Sequence, residues 1–551
     1  MPRKAKKFVR VIKFLLAGVT LFCVSWIVLV NEWHPGFRWS SRSSARSRGL
    51  PTMRTIIAYS EGKQAELERP SPVACDNLPA FPDLPNINQS WSPDLEQQSW
   101  QHVAGTGVSL FAAFYDERAP QRYVRILATF HGRNLLSEDT LYCQTRSSSP
   151  YEDSVEVVVA RPLEIWWHEW DATSIEVDTP VLLSCPLTES LVKPSIVSIV
   201  TQPCDDPTNV FTINPTLTGH KHKRNFTICV KDLNFDKDIS QKVLEWVEMN
   251  KILGVDLIDM YVGKISKETE SLLRHYRDKG FIRLFNVPIT NKQDRSLWQR
   301  RRDHIITYND CLYRNIEESE FIIPLDVDEI ILPKIAMNLP GLLDRLVKQG
   351  WNSTKNSAIM IQNVFFFDFM QGTNRHRKKN LRNKTKIYIK RDDVRIKESK
   401  NLDIGETELI DDASNVSNKF IDVSIADKPY HISKCGIDVP VPKIAQHIMS
   451  SAIVSPIGFY TKSLMVTKKV LTAFNHYPLA SLNAAAGFDG WAAPFSEVQL
   501  NHYKESCNET VIPECSMYGS SAQIDTSALR FYHQLISALN DTLCTGIYVS
   551  N

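Results

Sequence analysis

The chain has 551 residues, of which 43% are hydrophobic and 23% charged, and such a composition is typical of a folded protein with room for two or three domains. Its 64 basic and 62 acidic residues nearly cancel, so no overall charge favours a nucleic acid or another polyanion, and no nucleic-acid partner is expected. Evidence for function therefore has to come from local patterns.

The amino terminus has the pattern of a signal anchor. Six basic residues lie within 1–13, and residues 14–30 form an apolar run without a charged side chain. A helix of this length spans roughly 25 Å, close to the thickness of a thin bilayer. The pattern predicts a cytoplasmic tail, a transmembrane helix and a single-pass type II protein of the Golgi membrane, with the remaining residues in the lumen. A cleaved signal peptide is the alternative, although residues 26–33 offer no cleavage pattern.

Two segments of different character follow the apolar run. Residues 31–100 are rich in Pro and Ser and predict an extended stem. Residues 101–210 contain short β-rich runs, such as 123–130, 155–160 and 181–185, and predict a small β-rich lumenal domain. Three tryptophans in this domain could form a sugar-binding platform, but packing in the β-core is the preferred interpretation; they are Trp166, Trp167 and Trp170.

Cysteines and glycosylation sequons agree with a lumenal location. Of eleven cysteines, Cys23 lies in the apolar run and ten lie beyond it, without the paired spacing of a zinc site, so disulfides are expected. Seven Asn-x-Ser/Thr sequons are also present, at Asn88, Asn225, Asn352, Asn383, Asn415, Asn508 and Asn540.

From residue 224 onward the pattern alternates between strands and helices. Strands are predicted at 226–230, 257–262 and 281–285, and helices at 239–253, 267–279 and 296–317. This alternation favours an α/β domain with a parallel sheet and right-handed crossovers. The predicted catalytic domain covers residues 224–520, with a C-terminal extension at 521–551.

An apolar run at 321–332 carries acidic residues in its middle. In an extended segment Asp326 and Asp328 would project to the same side, where one cation could neutralise both carboxylates. A divalent metal with oxygen ligands is the natural partner, and it would also bind the diphosphate of a nucleotide sugar. Open parallel sheets bind ligands at the carboxyl ends of their strands, so this segment is the predicted site.

Four blocks of the sequence resemble glycosyltransferase family 92. Tyr308-Asn-Asp-Cys-Leu-Tyr-Arg and Leu325-Asp-Val-Asp-Glu-Ile resemble its Asp-Cys-x-Tyr-Arg helix and Asp-x-Asp-Glu strand. Phe474-Asn-His-Tyr-Pro and Asn501-His-Tyr-Lys resemble two later blocks that contain histidine. Two departures are His304, where a Gln is expected, and Lys504, where an Arg is usual.

The resemblance implies a GT-A fold with a Rossmann-like, mostly parallel sheet. It also implies a divalent metal such as Mn²⁺ and inverting transfer of a hexose, typically galactose from UDP-galactose, onto a glycan such as the fucose of N-glycans. In this scheme Asp326 and Asp328 hold the metal and diphosphate, and Glu329 assists or binds the sugar.

The remaining roles have open candidates. A third metal ligand would be His502 or His476. Inversion needs a general base, for which Asp489 and Glu497 are candidates in a loop rich in Gly and aromatic residues. Arg300 is a candidate contact of the donor diphosphate.

Two other functions compete with catalysis of glycosyl transfer. A membrane-anchored protein with a GT-A scaffold could bind glycans without transferring sugar. A metal-dependent hydrolase is the third option, but such sites gather more His and Asp at short spacing. The intact Asp326, Asp328 and Glu329 favour the transferase.

Overall fold

The computed structural model describes part of the chain from residue 70 to residue 545. The predicted tail, the predicted membrane span and most of the stem lie outside this part. Within it, no helix is long and apolar enough to cross a membrane. The described residues are 70–77, 79–85, 91, 100–132, 140–147, 155–166, 171, 174–191, 194–214, 224–289, 296–371, 387–388, 420–421, 430–432, 435–436, 438–482, 490–509 and 512–545.

Residues 101–214 form one nine-stranded sheet. Neighbouring strands follow the order β5-β4-β8-β9-β2-β3-β7-β6, with β1 beside β2, and all described pairs except β2 with β9 are antiparallel. The disulfide Cys143–Cys185 joins β4 to β7, which are not neighbours, so the sheet folds back on itself around a buried apolar core. The strands are β1 Gln101–His102, β2 Val108–Asp116, β3 Tyr123–His131, β4 Tyr142–Ser147, β5 Val155–Val159, β6 Arg161–Glu164, β7 Asp178–Pro186, β8 Pro194–Val200 and β9 Phe211–Asn214.

Buried polar contacts attach this sheet to the rest of the protein. The guanidinium of Arg118 donates to the carbonyls of Thr467 and Val470, both at 2.6 Å, and pairs with Asp116. Trp166 is buried beneath the guanidinium of Arg302, at 4.3 Å from its ring centre. The core interpretation therefore holds for Trp166, whereas Trp167 and Trp170 lie outside the described residues.

The second region begins with the predicted alternation of strands and helices. Strands β10, β11, β12 and β13 pair in parallel, with the order β12-β11-β10-β13. Ser266 caps the second helix by accepting a hydrogen bond from the Thr269 amide, and acidic residues in its first turn match the helix dipole. These elements are β10 Arg224–Leu233, α1 Ser240–Ile252, β11 Leu257–Val262, α2 Lys267–Asp278, β12 Ile282–Asn286, α3 Leu297–Asn315 and β13 Ser319–Pro324.

The remainder of this region does not continue the parallel pattern. Strands β22, β15 and β25 extend the β10–β13 sheet to seven strands in the order β12-β11-β10-β13-β22-β15-β25. Strands β14, β26 and β16 form a separate sheet in the order β14-β26-β16, and the other strands make short pairs. Its elements are β14 Glu329–Pro333, α4 Leu339–Lys348, β15 Ala358–Ile361, β16 Asn363–Phe367, a 3₁₀ helix Asp368–Gln371, β17 Ile387–Tyr388, β18 Phe420–Ile421, β19 Tyr430–Ile432, β20 Asp438–Pro440, α5 Lys443–Gln446, β21 Met449–Ser451, β22 Lys462–Val466, β23 Val470–Thr472, β24 Ala480–Ser481, β25 Gly490–Ala492, β26 Val498–Lys504, α6 Cys515–Gly519, β27 Ala522–Ile524, a 3₁₀ helix Ser527–Phe531 and α7 Tyr532–Leu543.

The predicted fold class, a GT-A domain with a mostly parallel sheet, is wrong for this structure, whereas the predicted transmembrane helix lies outside the described residues. The seven-stranded sheet is mixed, because β22 runs antiparallel to both β13 and β15, and the described chain is richer in strands than in helices. An apolar run indicates a buried strand but carries no information on the direction of its partner. The alternation over residues 224–324 therefore did not extend to the later strands.

The predicted disulfides are confirmed. All ten cysteines beyond Cys23 pair in five bridges, and one of them, Cys229–Cys311, ties β10 to α3 in the core behind the candidate site. The other four are Cys75–Cys204, Cys143–Cys185, Cys435–Cys544 and Cys507–Cys515.

Candidate active site

Asp326 and Asp328 lie in a tight turn between β13 and β14. The Glu329 amide donates to the Asp326 carbonyl at 3.0 Å, and the Asp326 amide donates to the Glu329 carboxylate at 2.9 Å. The segment is therefore a turn and not the extended strand that was expected from the sequence. The turn directs the two aspartates toward different basic side chains.

Asp326 faces lysines from two strands. Lys231 of β10 donates to its carboxylate at 2.8 Å, and the ammonium of Lys462 of β22 lies 3.6 Å from the same oxygen. Burial opposes ionisation of Asp326, yet these two positive charges outweigh it and hold the pKa of Asp326 well below its usual range. Asp326 is therefore ionised throughout the neutral pH range.

Asp328 faces the end of β26. Lys504 donates to its carboxylate at 2.9 Å, and Nε2 of His502 lies 3.7 Å from the same oxygen. Burial opposes ionisation here too, but the charge of Lys504 outweighs it, and the pKa of Asp328 falls well below its usual range. Lys504, which departs from the family pattern, thus contacts the second aspartate directly.

Glu329 is a buried link between these groups. Its carboxylate lies 3.1 Å from the ammonium of Lys462 and 3.6 Å from Nδ1 of His502, and its carbonyl accepts from the Trp246 indole. Lys462 also donates to Asn475 at 3.0 Å. These contacts place Glu329 beneath the two aspartates, where it positions the basic side chains.

Three lysines therefore form ion pairs with the three carboxylates of the acidic turn. For each lysine, burial alone would lower the pKa, but the neighbouring carboxylates raise it above its usual value. Lys504 is part of a sequence block that points to the site, whereas Lys231 and Lys462 were not predicted. In the sequence each of these two lysines lies at the end of a largely apolar strand. That pattern indicates a place in the site only once β10 and β22 are known to flank β13.

His502 is the histidine that the structure brings to the aspartates. Its ring stacks on Phe365 with centroids 5.2 Å apart, and its side chain is 8% exposed. Both ring nitrogens are buried, and neither makes a hydrogen bond to a residue that the structure describes. A buried imidazole without such bonds is costly, so this position suits a ligand group or a metal ion.

His476 is held away from that role. Its Nδ1 lies 2.8 Å from the Thr461 carbonyl and its Nε2 lies 3.1 Å from the Asn475 amide. Burial lowers the pKa of His476 to about 3, so the ring is neutral at physiological pH. Asn475 also binds Lys462 and the Tyr308 hydroxyl, which makes the 474–478 block a support for the lysine beside Asp326.

The other predicted residues lie in different surroundings. Arg300 and His304 of α3 share Asp232, at 3.0 Å and 3.3 Å, just beyond Lys231 on the chain. Burial lowers the pKa of His304 to about 4. Glu497 is bound by Arg345 at 2.6 Å and 2.9 Å, with a further bond from Gln349. Asp489 lies outside the described residues.

A cavity of about 380 Å³ opens beside Asp328. Its walls are the first turns of α1, the turn after β13, the start of α5 and the end of β26. The lining residues are Asp238, Ile239, Gln241, Lys242, Glu245, Trp246, Val327, Asp328, Ile330, Lys443, Ile444, Tyr503 and Glu505.

Glu245 in the cavity wall predicts a pH dependence of stability. Burial raises the pKa of Glu245 to about 7, although the Lys443 and Ile444 amides donate to it. Because the folded pKa exceeds the unfolded one, this residue stabilises the fold most below pH 4.5, and that contribution is lost as pH rises through 7. Relative to Glu245→Gln, the wild type should lose roughly 3 kcal/mol of unfolding free energy between pH 4.5 and 8.

Urea unfolding of both proteins across this pH range measures the difference directly. Buried histidines with lowered pKa values act in the opposite direction but are common to both proteins, so the comparison cancels them. A difference that does not change with pH would show that Glu245 titrates as a solvated carboxyl.

The site thus combines a turn carrying two aspartates with lysines from neighbouring strands and a cavity at the carboxyl edge of a sheet. That arrangement defines an enzyme or binding protein for a polar, partly anionic ligand. The family model for glycosyltransferase family 92 matches residues 224–537, more than half of the chain. The chain belongs to glycosyltransferase family 92.

One named relative is similar to a part of this chain. The Caenorhabditis elegans protein named beta-1,4-galactosyltransferase galt-1 is 24% identical over 121 residues, which is 22% of this chain and 28% of that protein. The match thus spans less than a third of the relative, so the donor and acceptor of that protein are not assigned to this chain.

Proposed function

We propose that this protein is a metal-dependent, inverting glycosyltransferase that moves galactose from UDP-galactose onto a glycan such as the fucose of N-glycans. The observation that carries the proposal is the pairing of Asp326 and Asp328 with lysines, beside a cavity that Asp328 lines, within a family of glycosyltransferases. The name of the galactosyltransferase relative supports the choice of sugar.

The residues present are compatible with a metal ion such as Mn²⁺. Among the described residues, no group of three or more His, Cys, Asp or Glu side chains is arranged to hold a metal. However, ions of this class often take only one or two protein ligands and complete their shell with substrate phosphates and water. Asp328 and His502, with its unbonded buried nitrogens, would be those protein ligands.

When bound, the metal would supply Lewis-acid stabilisation to the departing diphosphate. The protein supplies fixed positive charge at the same place, because Lys231, Lys462 and Lys504 surround the aspartate turn. Such charge is effective because it is oriented before the reaction begins. Arg300 lies beyond Lys231, where it would contact the nucleotide. Of the two residues that the sequence suggests for the base, Glu497 is bound by Arg345 and Asp489 lies outside the described residues.

The location of the protein remains a prediction as well. Five disulfides are in keeping with an oxidising compartment such as the Golgi lumen. The type II membrane anchor lies outside the described residues.

The test is a transfer assay with the full-length chain, UDP-galactose and a fucosylated N-glycopeptide. We expect transfer in Mn²⁺, loss of at least 90% of it in EDTA, and recovery when Mn²⁺ is restored in excess. A thermal melt in EDTA controls for unfolding. UDP-glucose and UDP-N-acetylglucosamine test the choice of donor.

Each contrary result has a definite meaning. Full transfer in EDTA would contradict the metal, and faster transfer from another donor would contradict galactose. Glycan binding without transfer from any UDP-sugar would favour the non-catalytic glycan-binding protein.

A further inference from the structure

The cavity beside Asp328 is suited to a neutral sugar. We propose that it binds the acceptor glycan and that Glu505 is the general base that takes the proton of the attacking hydroxyl. This inference rests on the proposed glycosyl transfer and adds the acceptor subsite and a base other than Asp489 or Glu497.

The lining combines apolar rings with hydrogen-bond acceptors. Trp246, Tyr503 and Ile444 contribute apolar surface, and four carboxylates contribute acceptors. A sugar presents apolar C–H faces and hydroxyl donors, so it can satisfy both kinds of surface at once. The volume of about 380 Å³ accommodates a monosaccharide with part of its neighbour.

The charges of the cavity lining favour the neutral acceptor glycan over the anionic donor as its ligand. The carboxylates of Asp238, Asp328 and Glu505 outnumber the ammonium groups of Lys242 and Lys443 even when Glu245, whose pKa is about 7, is protonated. A diphosphate would be repelled by this excess, whereas a neutral glycan would not. The lysines that pair with the aspartate turn do not line the cavity, and they provide the positive surface for the diphosphate.

Three of the four carboxylates are already engaged. Asp238 accepts from Ser240, Ser266 and Thr269, and Asp328 accepts from Lys504.

The third engaged carboxylate is Glu245, which accepts from two backbone amides. Glu505 is exposed and makes no hydrogen bond or ion pair with the part of the chain that the structure describes. It directly follows Lys504, the partner of Asp328, so its backbone lies next to a residue that contacts the aspartate turn. Glu505 is therefore the lining carboxylate that is available to a hydroxyl.

The proposed step is a single displacement. The acceptor hydroxyl gives its proton to the Glu505 carboxylate while its oxygen bonds to the anomeric carbon of the donor sugar. The bond from that carbon to the diphosphate oxygen breaks, and the electron pair leaves with the nucleoside diphosphate. Attack from the side opposite the leaving group inverts the anomeric centre.

Glu505→Gln tests the base, and Glu509→Gln is its matched control. Glu509 is also exposed, lies four positions further along and does not line the cavity. We expect Glu505→Gln to lower kcat for transfer about 100-fold. The dissociation constant of UDP should stay within twofold of wild type, and Glu509→Gln should behave as wild type in both measurements. A loss below fivefold, or an equal loss in the control, would overturn the role of Glu505.

Gln241→Trp tests whether the cavity binds the acceptor glycan. Gln241 is a half-buried lining residue, and a tryptophan ring at this position would project into the cavity. We expect the dissociation constant of the fucosylated glycopeptide to rise at least tenfold, measured by calorimetry, while UDP binding is unchanged. A matching loss of UDP affinity would make the cavity a nucleotide site and overturn the proposal. Because binding is measured without turnover, this result stands even if wild type transfers no sugar, which would instead contradict the proposed function.

Discussion

Replacing Asp328 with asparagine is expected to lower the rate of sugar transfer about 1,000-fold. The substitution preserves the shape of the side chain but removes the negative charge that holds Lys504 at 2.9 Å and lies 3.7 Å from His502. Both the proposed metal and the orientation of the lysine depend on that charge. Initial rates with saturating UDP-galactose and glycopeptide measure the loss.

The control for this substitution is Asp236→Asn. Asp236 also pairs with a lysine, Lys264, but both side chains are largely exposed and far from the turn in sequence. Exposed pairs contribute little to stability, so this variant should keep wild-type activity and melting temperature. An Asp328→Asn enzyme with more than a tenth of wild-type activity would show that the charge is not required.

Removing the Cys229–Cys311 disulfide should strongly lower the stability of the fold. The bridge joins residues 82 positions apart, and both cysteines are fully buried. In the chain-entropy model such a cross-link stabilises the fold by about 4.5 kcal/mol, so the double alanine variant should unfold at a much lower urea concentration. Activity should fall with it, because Lys231 lies two residues beyond Cys229.

The bridge Cys507–Cys515 provides the comparison, since it closes a loop of only 8 positions. The same model gives about 2.5 kcal/mol for its removal. Equal losses of unfolding free energy in the two double variants would contradict the dependence on loop length and indicate that packing dominates at both sites.

Much of the α/β region could be predicted from residue patterns. The helix predicted at 267–279 is found at Lys267–Asp278, where Ser266 caps it, and the strand predicted at 257–262 is found at Leu257–Val262. Local signals suffice for such elements because capping and hydrophobic periodicity act over a few residues. The mixed sheet could not be predicted, since strand direction depends on which distant segments pair.

In the candidate site, too, local patterns predicted some features and the tertiary structure decided the others. The importance of Asp326 and Asp328 follows from two charges in an apolar run, which need compensation wherever they are placed. A cation or hydrogen-bond donors could supply that compensation and a divalent metal was the expected partner; the structure shows lysines from β10, β22 and β26 in contact with the acidic turn. The choice of His502 over His476 likewise depends on the pairing of β26 with β14.

The sequence by itself determined the family, the acidic turn and the involvement of ten cysteines in disulfides, because each is written in the types and order of nearby residues. Only the tertiary structure decided the partners of those residues. Lys231 and Lys462 are 231 positions apart on the chain, yet both ammonium groups reach Asp326 because parallel and antiparallel pairing place β10 and β22 on either side of β13. Such contacts arise from packing between distant segments, which no local pattern specifies.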